Sequence, residues 1–192
     1  MGQYSSNTTT IDLISEVINE NKLDVLGISE ANLWREDDFS QIKVKNYEVV
    51  NDKLLTKHGR ARSMMYVRSN LKYKIRTDLM HDDTPEVWLE LPGKPGENPL
   101  LVSQFYREHT VVRGKENVEG SDSSTEQKNR LLKWIEKTAM ILENEKKEIL
   151  IGGDFNADTR LHEGDILGKI LKEDLMDSRG MEMIVNEPTH QK

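Results

Sequence analysis

The apolar positions of the chain fall into short runs whose spacing changes between helical and extended periods. Apolar side chains recur on one helical face over residues 10–22, and residues 23–29 form a short, nearly continuous apolar run. The first pattern predicts an amphipathic helix that begins near Thr10, a residue type that caps helices, and the second predicts a buried strand. A helix that leads into a buried strand is typical of an α/β protein.

Short strand patterns dominate the middle of the chain. Apolar, β-branched and aromatic residues predict strands over 47–50, 63–67, 73–77, 86–91 and 100–106, separated by turn-forming residues. The second and third of these strands are close enough in sequence to pair as a hairpin. Successive strands joined by short turns indicate an antiparallel or mixed sheet.

Helical patterns return towards the end of the chain. Residues 108–125 are polar and predict a long loop, a kind of segment that is often functional. Apolar residues at helical spacing then predict a helix over about 126–145, a buried strand follows over 148–156, and a further helix is expected near 164–173. The whole pattern predicts an α/β protein with a sheet core and helices outside.

Length and composition favour one globular domain without disulfides. The 192 residues, 35% hydrophobic and 32% charged, are enough to bury a core, and we predict a single domain over residues 1–192. The absence of cysteine excludes disulfide bridges and thiolate metal sites. No apolar run approaches the roughly 20 residues of a membrane-spanning helix, and residues 1–10 do not resemble a secretory signal. We therefore expect a soluble, intracellular protein.

The formal net charge of −7 limits the ways in which this chain could bind nucleic acid. A domain that holds nucleic acid by bulk charge alone is usually basic, whereas an enzyme can combine metal-binding carboxylates with local basic patches. Two such patches are candidates, and each can equally be a set of solvated loop charges. The first contains Lys53, Lys57, His58, Arg60 and Arg62, and the second contains Arg107, Arg113 and Lys115.

The strongest chemical signal lies where the strand predicted over 148–156 runs into polar residues. Asp154 and Asn156 are two positions apart, so an extended backbone would point both side chains to the same side. The carboxylate could orient and deprotonate a water, and the amide could hydrogen-bond a nucleophile or a phosphoryl oxygen. The alternative is that both residues cap a turn. The apolar run and the paired glycines Gly152 and Gly153 favour catalysis, because glycine lets a substrate approach closely.

Two other strand ends carry residues that suit phosphate chemistry. Glu30 follows the buried strand of residues 23–29, and a carboxylate at a strand end suits a hard cation such as magnesium. Tyr106 and Arg107 end another strand, and both can donate hydrogen bonds to phosphate. His109 follows closely and is a candidate for substrate contact. The alternatives are an ordinary exposed glutamate, a tyrosine at the edge of the core and solvated surface residues.

These motifs, in this order, resemble the endonuclease/exonuclease/phosphatase superfamily. The resemblance rests on Ser29-Glu30, Tyr106-Arg107, the segment from Gly152 to Ala157 and the late segment from Asn186 to His190. It is strongest for the apurinic-type endonuclease domains of non-LTR retrotransposons and covers nearly all of the chain. The fold that it implies is a four-layered α/β sandwich, in which two mixed β-sheets pack face to face with helices outside.

The resemblance also implies a role for each candidate residue. Glu30 would bind magnesium, or manganese in its place, and Asp154 would position and activate the attacking water. Asn156 would hold the nucleophile or the scissile phosphate, which Tyr106 would contact with help from Arg107. The implied reaction is in-line attack of water on a phosphodiester, which leaves a 5′-phosphate and a 3′-hydroxyl.

The chain departs from the family pattern near both ends. The asparagine that the family carries in its first strand has no counterpart after Met1, and the C-terminal strands with their Ser-Asp-His motif have none before Lys192. His190 precedes the position of that motif and is not expected to replace its histidine. We therefore expect a chain that is truncated at both ends.

Three functions are compatible with these residues. The first is a magnesium-dependent DNA endonuclease that nicks target DNA for retrotransposition, with a reverse transcriptase domain in the same parent polyprotein and a nuclear location. The second is a phosphatase or phosphodiesterase that acts on a small phosphorylated molecule or RNA, in keeping with the negative net charge. The third is a degenerate, non-catalytic binding domain. The retained carboxylates and amide favour an enzyme over the third.

Overall fold

The computed structural model describes four stretches of the chain, residues 9–37, 39–107, 124–157 and 166–184. The chain divides into two compact units. The first, called here the sheet unit, comprises residues 1–107 and 147–155 and contains every strand described. The second, called the helical unit, comprises residues 108–146 and 156–192. The single domain over the whole chain stays a prediction.

The first sheet consists of three antiparallel strands. Strand β1 spans Val25–Trp34, β2 spans Tyr47–Asn51, and β3 spans Arg60–Arg68 and lies between the other two. Residues 63–67 of β3 are all buried, because this strand is central in the sheet. The predicted strands in this region are confirmed, but β1 extends well beyond its predicted end, and its residues 25–29 are only partly buried rather than buried as predicted.

The second sheet is mixed and has four strands. These are β4 over Lys74–Ile75, β5 over Glu86–Leu91, β6 over Leu100–Tyr106 and β7 over Glu148–Asp154. They lie in the order β4-β5-β6-β7, with β6 and β7 parallel and the other pairs antiparallel. A parallel pair needs a long crossover, which here is the chain between residues 106 and 148.

The predicted hairpin between the strands at 63–67 and 73–77 is wrong. Strand β4 pairs instead with β5 in the second sheet, where Lys74 lies opposite Glu90. The physical reason is that β3 already has β1 on one edge and β2 on the other, so neither edge can accept another neighbour. Strand β4 therefore pairs with the strand that follows it in sequence rather than with the nearer strand that precedes it.

The two sheets pack face to face within the sheet unit. Strands β1 and β3 of the first sheet contact β5, β6 and β7 of the second. Met65 and Val67 of β3, together with Trp88, Leu89 and Leu101 of the second sheet, are almost completely buried. This arrangement confirms the predicted α/β class and its pair of packed sheets.

Helix α1 spans Thr10–Asn21 and packs on the first sheet through Ile18, which is buried in one cluster with Tyr66 of β3. Its amphipathic character is as predicted. Two short elements complete the described helices of the sheet unit. They are a 3₁₀ turn over Phe39–Ile42 and helix α2 over Leu54–His58.

The N-terminus of α1 is closed by Thr9 rather than by the predicted Thr10. Thr9 Oγ1 accepts a hydrogen bond from the Asp12 N–H at 3.3 Å, and the Asp12 carboxylate accepts one from the Thr9 N–H at 2.9 Å. This reciprocal arrangement is a capping box, which needs a polar side chain three residues after the cap. Thr10 lacks that partner because position 13 is a leucine.

The helical unit contains α3 over Ser124–Glu145, α4 over Ile166–Ile170 and a wider π-helical segment over Leu171–Asp177. Helix α3 contacts both of the other elements, and Arg179 forms an ion pair with Glu143 of α3. Both helices predicted in this region are confirmed, the second with part of its length π-helical. In the part of the chain that the structure describes, no helix is both long and apolar enough to cross a membrane.

Glu86, the first residue of β5, carries a carboxylate that is completely buried. Its Oε1 accepts a hydrogen bond from the His81 N–H and also faces His81 Nδ1, both at 2.5 Å, while Oε2 accepts one from Trp88 Nε1 at 3.0 Å. Burial by itself raises the pKa of this carboxyl. The hydrogen bonds and positive charge of His81, helped by Trp88, outweigh burial, so the pKa of Glu86 is lowered.

We expect Glu86→Gln to lower the free energy of unfolding by about 1–3 kcal/mol near neutral pH. Because folding lowers the pKa of Glu86, its carboxylate stabilises the fold above its ordinary pKa of 4.5. That contribution is lost as the pH falls through the lowered value of the folded state. Urea denaturation of wild type and variant should therefore show a stability difference that shrinks in acid. A difference that grows in acid would contradict this account.

Candidate active site

Glu30 lies in a bulge within β1 and not, as predicted, at the end of a strand. Pairing between β1 and β3 is regular up to Ser29 and again from Leu33, so the residues between them all stand opposite Arg62. Glu30 and Asn32 have φ angles of 57° and 52°, which L side chains adopt rarely. Bulges re-aim side chains and are frequent beside active sites. Here the bulge presents a Glu30 side chain that is 59% exposed.

Ser29 links the first sheet to the second beside Glu30. Its Oγ accepts hydrogen bonds from Gln104 Nε2 at 2.7 Å and from the Asp154 backbone N–H at 3.2 Å. The same hydroxyl donates a longer hydrogen bond to the Phe105 carbonyl at 3.4 Å. One side chain thereby joins β1, β6 and β7. Glu30 and Asp154 lie near each other because Glu30 follows Ser29 in sequence, and the Asp154 N–H is hydrogen-bonded to the Ser29 hydroxyl.

At Gly27 of β1 the Gln104 side chain of the second sheet approaches the backbone closely. A Cβ at Gly27 would lie 2.0 Å from Gln104 Oε1 and 2.7 Å from its Cδ. Glycine at this position therefore lets Gln104 reach across to Ser29.

Tyr106, the last residue of β6, donates a hydrogen bond from its hydroxyl to Glu30 Oε1 at 2.6 Å. Arg62 Nη2 donates to the same hydroxyl at 2.9 Å and lies 3.9 Å from Glu30 Oε1, and its guanidinium is 4.8 Å from the Tyr106 ring centroid. We call these three side chains the Glu30 triad. Burial and the hydrogen bond to Glu30 raise the pKa of Tyr106 to about 12 against the opposing charge of Arg62. The phenol therefore keeps its proton near neutral pH.

Asp154 ends β7 directly beside Tyr106 in the parallel pairing of β6 and β7. Its backbone is held on both sides, since its N–H donates to Ser29 Oγ and its carbonyl accepts from the Arg107 N–H at 2.9 Å. The side chain is partly exposed. The structure thus brings together three of the predicted residues, Glu30, Tyr106 and Asp154.

The other three predicted site residues are placed differently, and their roles stay predictions. Arg107 is buried, and its Nε donates to the Phe155 carbonyl at 2.5 Å, so it supports the backbone just after β7. Asn156 belongs to the helical unit and has a φ of 46°. Because β7 ends at Asp154, the strand alternation expected to align these two side chains does not extend to Asn156. His109 lies outside the described residues.

Arg62 is a site residue that the sequence patterns assigned only to a basic patch. Its backbone is fixed by Asp52, a buried carboxylate that accepts hydrogen bonds from the N–H groups of Arg62 at 2.9 Å, Ser63 at 2.7 Å and Leu54 at 3.0 Å. Burial raises the pKa of Asp52, and these hydrogen bonds oppose the rise. The alternation of Arg60 and Arg62 on a strand is the one sequence signal that could have marked this place.

The Glu30 triad suits a divalent cation that keeps most of its water. Within the described residues no group of three or more histidine, aspartate or glutamate side chains could hold a metal ion, so an all-protein cage is absent there. Glu30 Oε1 accepts from Tyr106, whereas no described residue hydrogen-bonds Oε2. Magnesium in proteins often takes one or two carboxylates, several waters and phosphate oxygens. Glu30 therefore fits as a ligand of such an ion.

Two packed sheets gather a glutamate, a tyrosine and an arginine at one place beside an aspartate, an arrangement that suits an α/β phosphoester hydrolase. The sequence profile of the Endonuclease/Exonuclease/phosphatase family matches residues 2–188. The chain therefore belongs to this family, and the predicted resemblance is confirmed. Members of the family are hydrolases that generally use a divalent metal ion.

Several solved structures share the fold at low sequence identity. The endonuclease domain of TRAS1, a telomere-specific non-LTR retrotransposon, is 14% identical with a TM-score of 0.57, over 84% of this chain and 61% of that one. The human Nocturnin catalytic domain is 15% identical with a TM-score of 0.52, over 84% and 60%. Beta toxin from Staphylococcus aureus is 14% identical with a TM-score of 0.52, over 86% and 62%.

These similarities confirm the predicted sandwich fold, and the chain spans about three fifths of the length of each of these structures. A comparison with curated protein sequences finds no match. The fold and the superfamily of this chain are therefore established. Its substrate has to be inferred from the residues of the site.

Proposed function

We propose that this chain is a metal-dependent phosphodiesterase, and specifically a DNA endonuclease that nicks target DNA for retrotransposition. The observation that carries the proposal is the Glu30 triad, in which a carboxylate, a protonated phenol and a guanidinium meet close to Asp154. Family membership supports hydrolysis of a phosphoester. The shared fold with the endonuclease domain of a retrotransposon supports the choice of DNA.

In the proposed reaction, Asp154 accepts a proton from water as the water oxygen bonds to phosphorus. The bond from phosphorus to the 3′ oxygen breaks, and the leaving oxygen takes up a proton from solvent water, which leaves a 5′-phosphate and a 3′-hydroxyl. Asn156 holds the nucleophile or the phosphate through its amide. Tyr106 turns its hydroxyl proton from Glu30 to a phosphoryl oxygen, and Arg62 supplies positive charge at that oxygen.

The remaining predicted residues have secondary parts in this proposal. Arg107 acts through the Phe155 carbonyl and so fixes the backbone that follows the proton acceptor Asp154. His109 remains a candidate for substrate contact. Neither residue is needed for the bond changes at phosphorus.

Magnesium is the proposed cofactor, with manganese as a substitute, and Glu30 is its proposed ligand. When bound, the ion would stabilise negative charge on the phosphate and the leaving oxygen. Arg62, 3.9 Å from the same carboxylate, offsets part of the negative charge that would attract a cation to Glu30. We therefore infer that metal binding is weak until a substrate phosphate adds its own oxygens.

Target DNA is the proposed partner, with a reverse transcriptase domain in the same parent polyprotein. An endonuclease of this kind acts on chromosomal DNA, so a nuclear location follows from the proposal. The net charge of −7 means that DNA binding must rely on local cations such as Arg62 rather than on the charge of the whole chain.

A second candidate function is a phosphatase or phosphodiesterase that acts on a small phosphorylated molecule or RNA. The negative net charge favours it, because a small substrate needs no extended basic surface. A Nocturnin catalytic domain and a bacterial beta toxin share the fold, so the fold alone does not select DNA. The third possibility, a non-catalytic binding domain, gives no reason for a carboxylate, a phenol and a guanidinium to meet beside Asp154.

Nicking of supercoiled plasmid DNA tests the proposed function. We expect magnesium-dependent conversion to open circles that EDTA abolishes. We also expect Glu30→Gln to lower the rate by about 100-fold or more, because a neutral amide is a poor ligand for magnesium. Glu16→Gln, on the exposed face of α1, is the matched control and should nick like the wild type.

A second substrate in the same assay separates the alternatives. Hydrolysis of bis(p-nitrophenyl) phosphate without plasmid nicking would favour the small-molecule function. If neither substrate is cleaved at any metal concentration, the result would favour a non-catalytic domain and contradict the proposed enzymatic function. Equal rates for wild type and Glu30→Gln would remove Glu30 from the metal site.

A further inference from the structure

Trp34, the last residue of β1, presents an aromatic surface to solvent. It is 48% exposed, whereas the other two tryptophans, Trp88 and Trp134, are buried. The guanidinium of Arg60 lies 5.0 Å from the Trp34 ring centroid, and Arg60 also hydrogen-bonds Asn32 Oδ1. The exposed ring is therefore paired with a cation that is itself fixed by a second contact.

This surface continues from the Glu30 triad along the same two strands. Arg60 and Arg62 occupy alternate positions of β3, so their side chains leave the strand on the same side. Arg62 meets Glu30 and Arg60 meets Asn32, so the bulge of β1 connects the triad to the ring. Trp34 is four residues from Glu30, less than about 13 Å along the strand.

We infer that Trp34 and Arg60 form a stacking platform for a nucleobase close to the scissile phosphate, so that the substrate is a polynucleotide with an unpaired base there. The inference rests on the proposed function and specifies its substrate. Aromatic rings stack bases of any identity, and arginine contributes by cation–π contact. A base inside a duplex has both faces covered and must leave the stack to be reached. Single-stranded or locally unpaired DNA should therefore bind better than perfect duplex.

The charges around the platform fit a nucleotide rather than an apolar partner. Arg60 and Arg62 place two positive charges in line in a chain whose net charge is −7. One arginine lies at the proposed phosphate position and the other lies at the ring, which matches the alternation of phosphate and base along a strand. A small phosphate ester without a base would use the Glu30 triad alone.

Tryptophan fluorescence measures the platform without any cleavage. The full chain is titrated at low salt, in EDTA, with single-stranded oligothymidylate. Stacking should quench the emission, because Trp34 is the exposed tryptophan. An oligonucleotide of equal length with abasic central nucleotides carries the same charge and should bind about 5- to 150-fold more weakly.

Two variants assign this difference to the ring. Because the variants lack the Trp34 emission, their binding and that of the wild type are compared by fluorescence anisotropy of end-labelled oligonucleotides. Trp34→Leu keeps apolar bulk but removes the aromatic face, and it should bind oligothymidylate about 5- to 150-fold more weakly. The difference between the two oligonucleotides should then disappear, and Trp34→Phe should restore most of it. Equal binding of both oligonucleotides by the wild type overturns the inference, as does wild-type affinity of Trp34→Leu for oligothymidylate.

Cleavage of the same two oligonucleotides with magnesium separates this inference from the proposed function. We expect the wild type to show a lower KM for oligothymidylate than for the abasic oligonucleotide, and Trp34→Leu to bring the ratio close to one. Base-dependent binding without cleavage of any phosphodiester keeps the platform and overturns the proposed enzyme. Cleavage of both oligonucleotides with equal KM by the wild type keeps the enzyme and overturns the platform.

Discussion

Asp154→Asn is expected to lower the rate of DNA nicking by about 10²–10⁴-fold. The carboxylate is the proposed acceptor of the water proton, and an amide of the same shape cannot take that proton. Asp154 is fixed through its backbone, whose N–H donates to Ser29 Oγ and whose carbonyl accepts from Arg107. Neither of these two bonds involves the side chain, so the isosteric substitution should leave both of them in place.

Single-turnover cleavage of end-labelled DNA at saturating magnesium measures this loss without a contribution from product release. Asp83→Asn is the matched control, because Asp83 is exposed and its loss changes the net charge by the same amount. A folded Asp154→Asn variant that cleaves at the wild-type rate would remove Asp154 from the catalytic centre. A slow variant with a lowered unfolding temperature would instead indicate a structural role.

The dependence on magnesium concentration should distinguish Asp154 from Glu30. Replacing a proposed metal ligand weakens metal binding, so more magnesium should restore part of the activity of Glu30→Gln. Replacing a proton acceptor removes a step that magnesium cannot supply. The rate of Asp154→Asn should therefore stay low at every magnesium concentration.

Local patterns predict most elements of this fold because burial of one face imposes a period on the sequence. Apolar runs place β6 and β7, and helical spacing places α1 and α3, with errors confined to their ends. The same reasoning fails for β4, whose partner is β5 rather than the nearer β3. A strand's partner depends on which sheet edges are already occupied, and this is a property of the whole sheet.

The sequence predicts the two carboxylates of the site, but it does not predict Arg62 as a site residue or the bulge in β1. Glu30 and Asp154 each follow an apolar run, and this pattern is visible in the local sequence. Arg62 meets Tyr106 at a separation of 44 residues, and Ser29 meets Asp154 at a separation of 125. Such contacts depend on how the two sheets face each other, which periodicity does not encode. The bulge is equally hidden, because its positive φ angles occur without glycine.

The paired glycines before Asp154 were predicted as one feature, but the structure separates them. We expect Gly153→Ala to lower the free energy of unfolding by about 3–5 kcal/mol. Gly153 has a φ of 145°, and a Cβ there would lie 1.9 Å from the Phe105 carbonyl oxygen and 2.8 Å from its carbon. Both atoms belong to the backbone of β6, an interior strand, so the clash cannot be relieved by turning a side chain.

Gly152→Ala is the matched control for this prediction. A Cβ at Gly152 would meet nothing nearer than Gln104 Oε1 at 3.6 Å, and its φ lies outside the left-handed region. We expect its free energy of unfolding to change by less than about 1 kcal/mol. Thermal unfolding should then show a loss of about 6–20 °C for Gly153→Ala and little change for Gly152→Ala. Equal losses would mean that the close approach of the Phe105 backbone to Gly153 does not explain the difference expected between the two glycines.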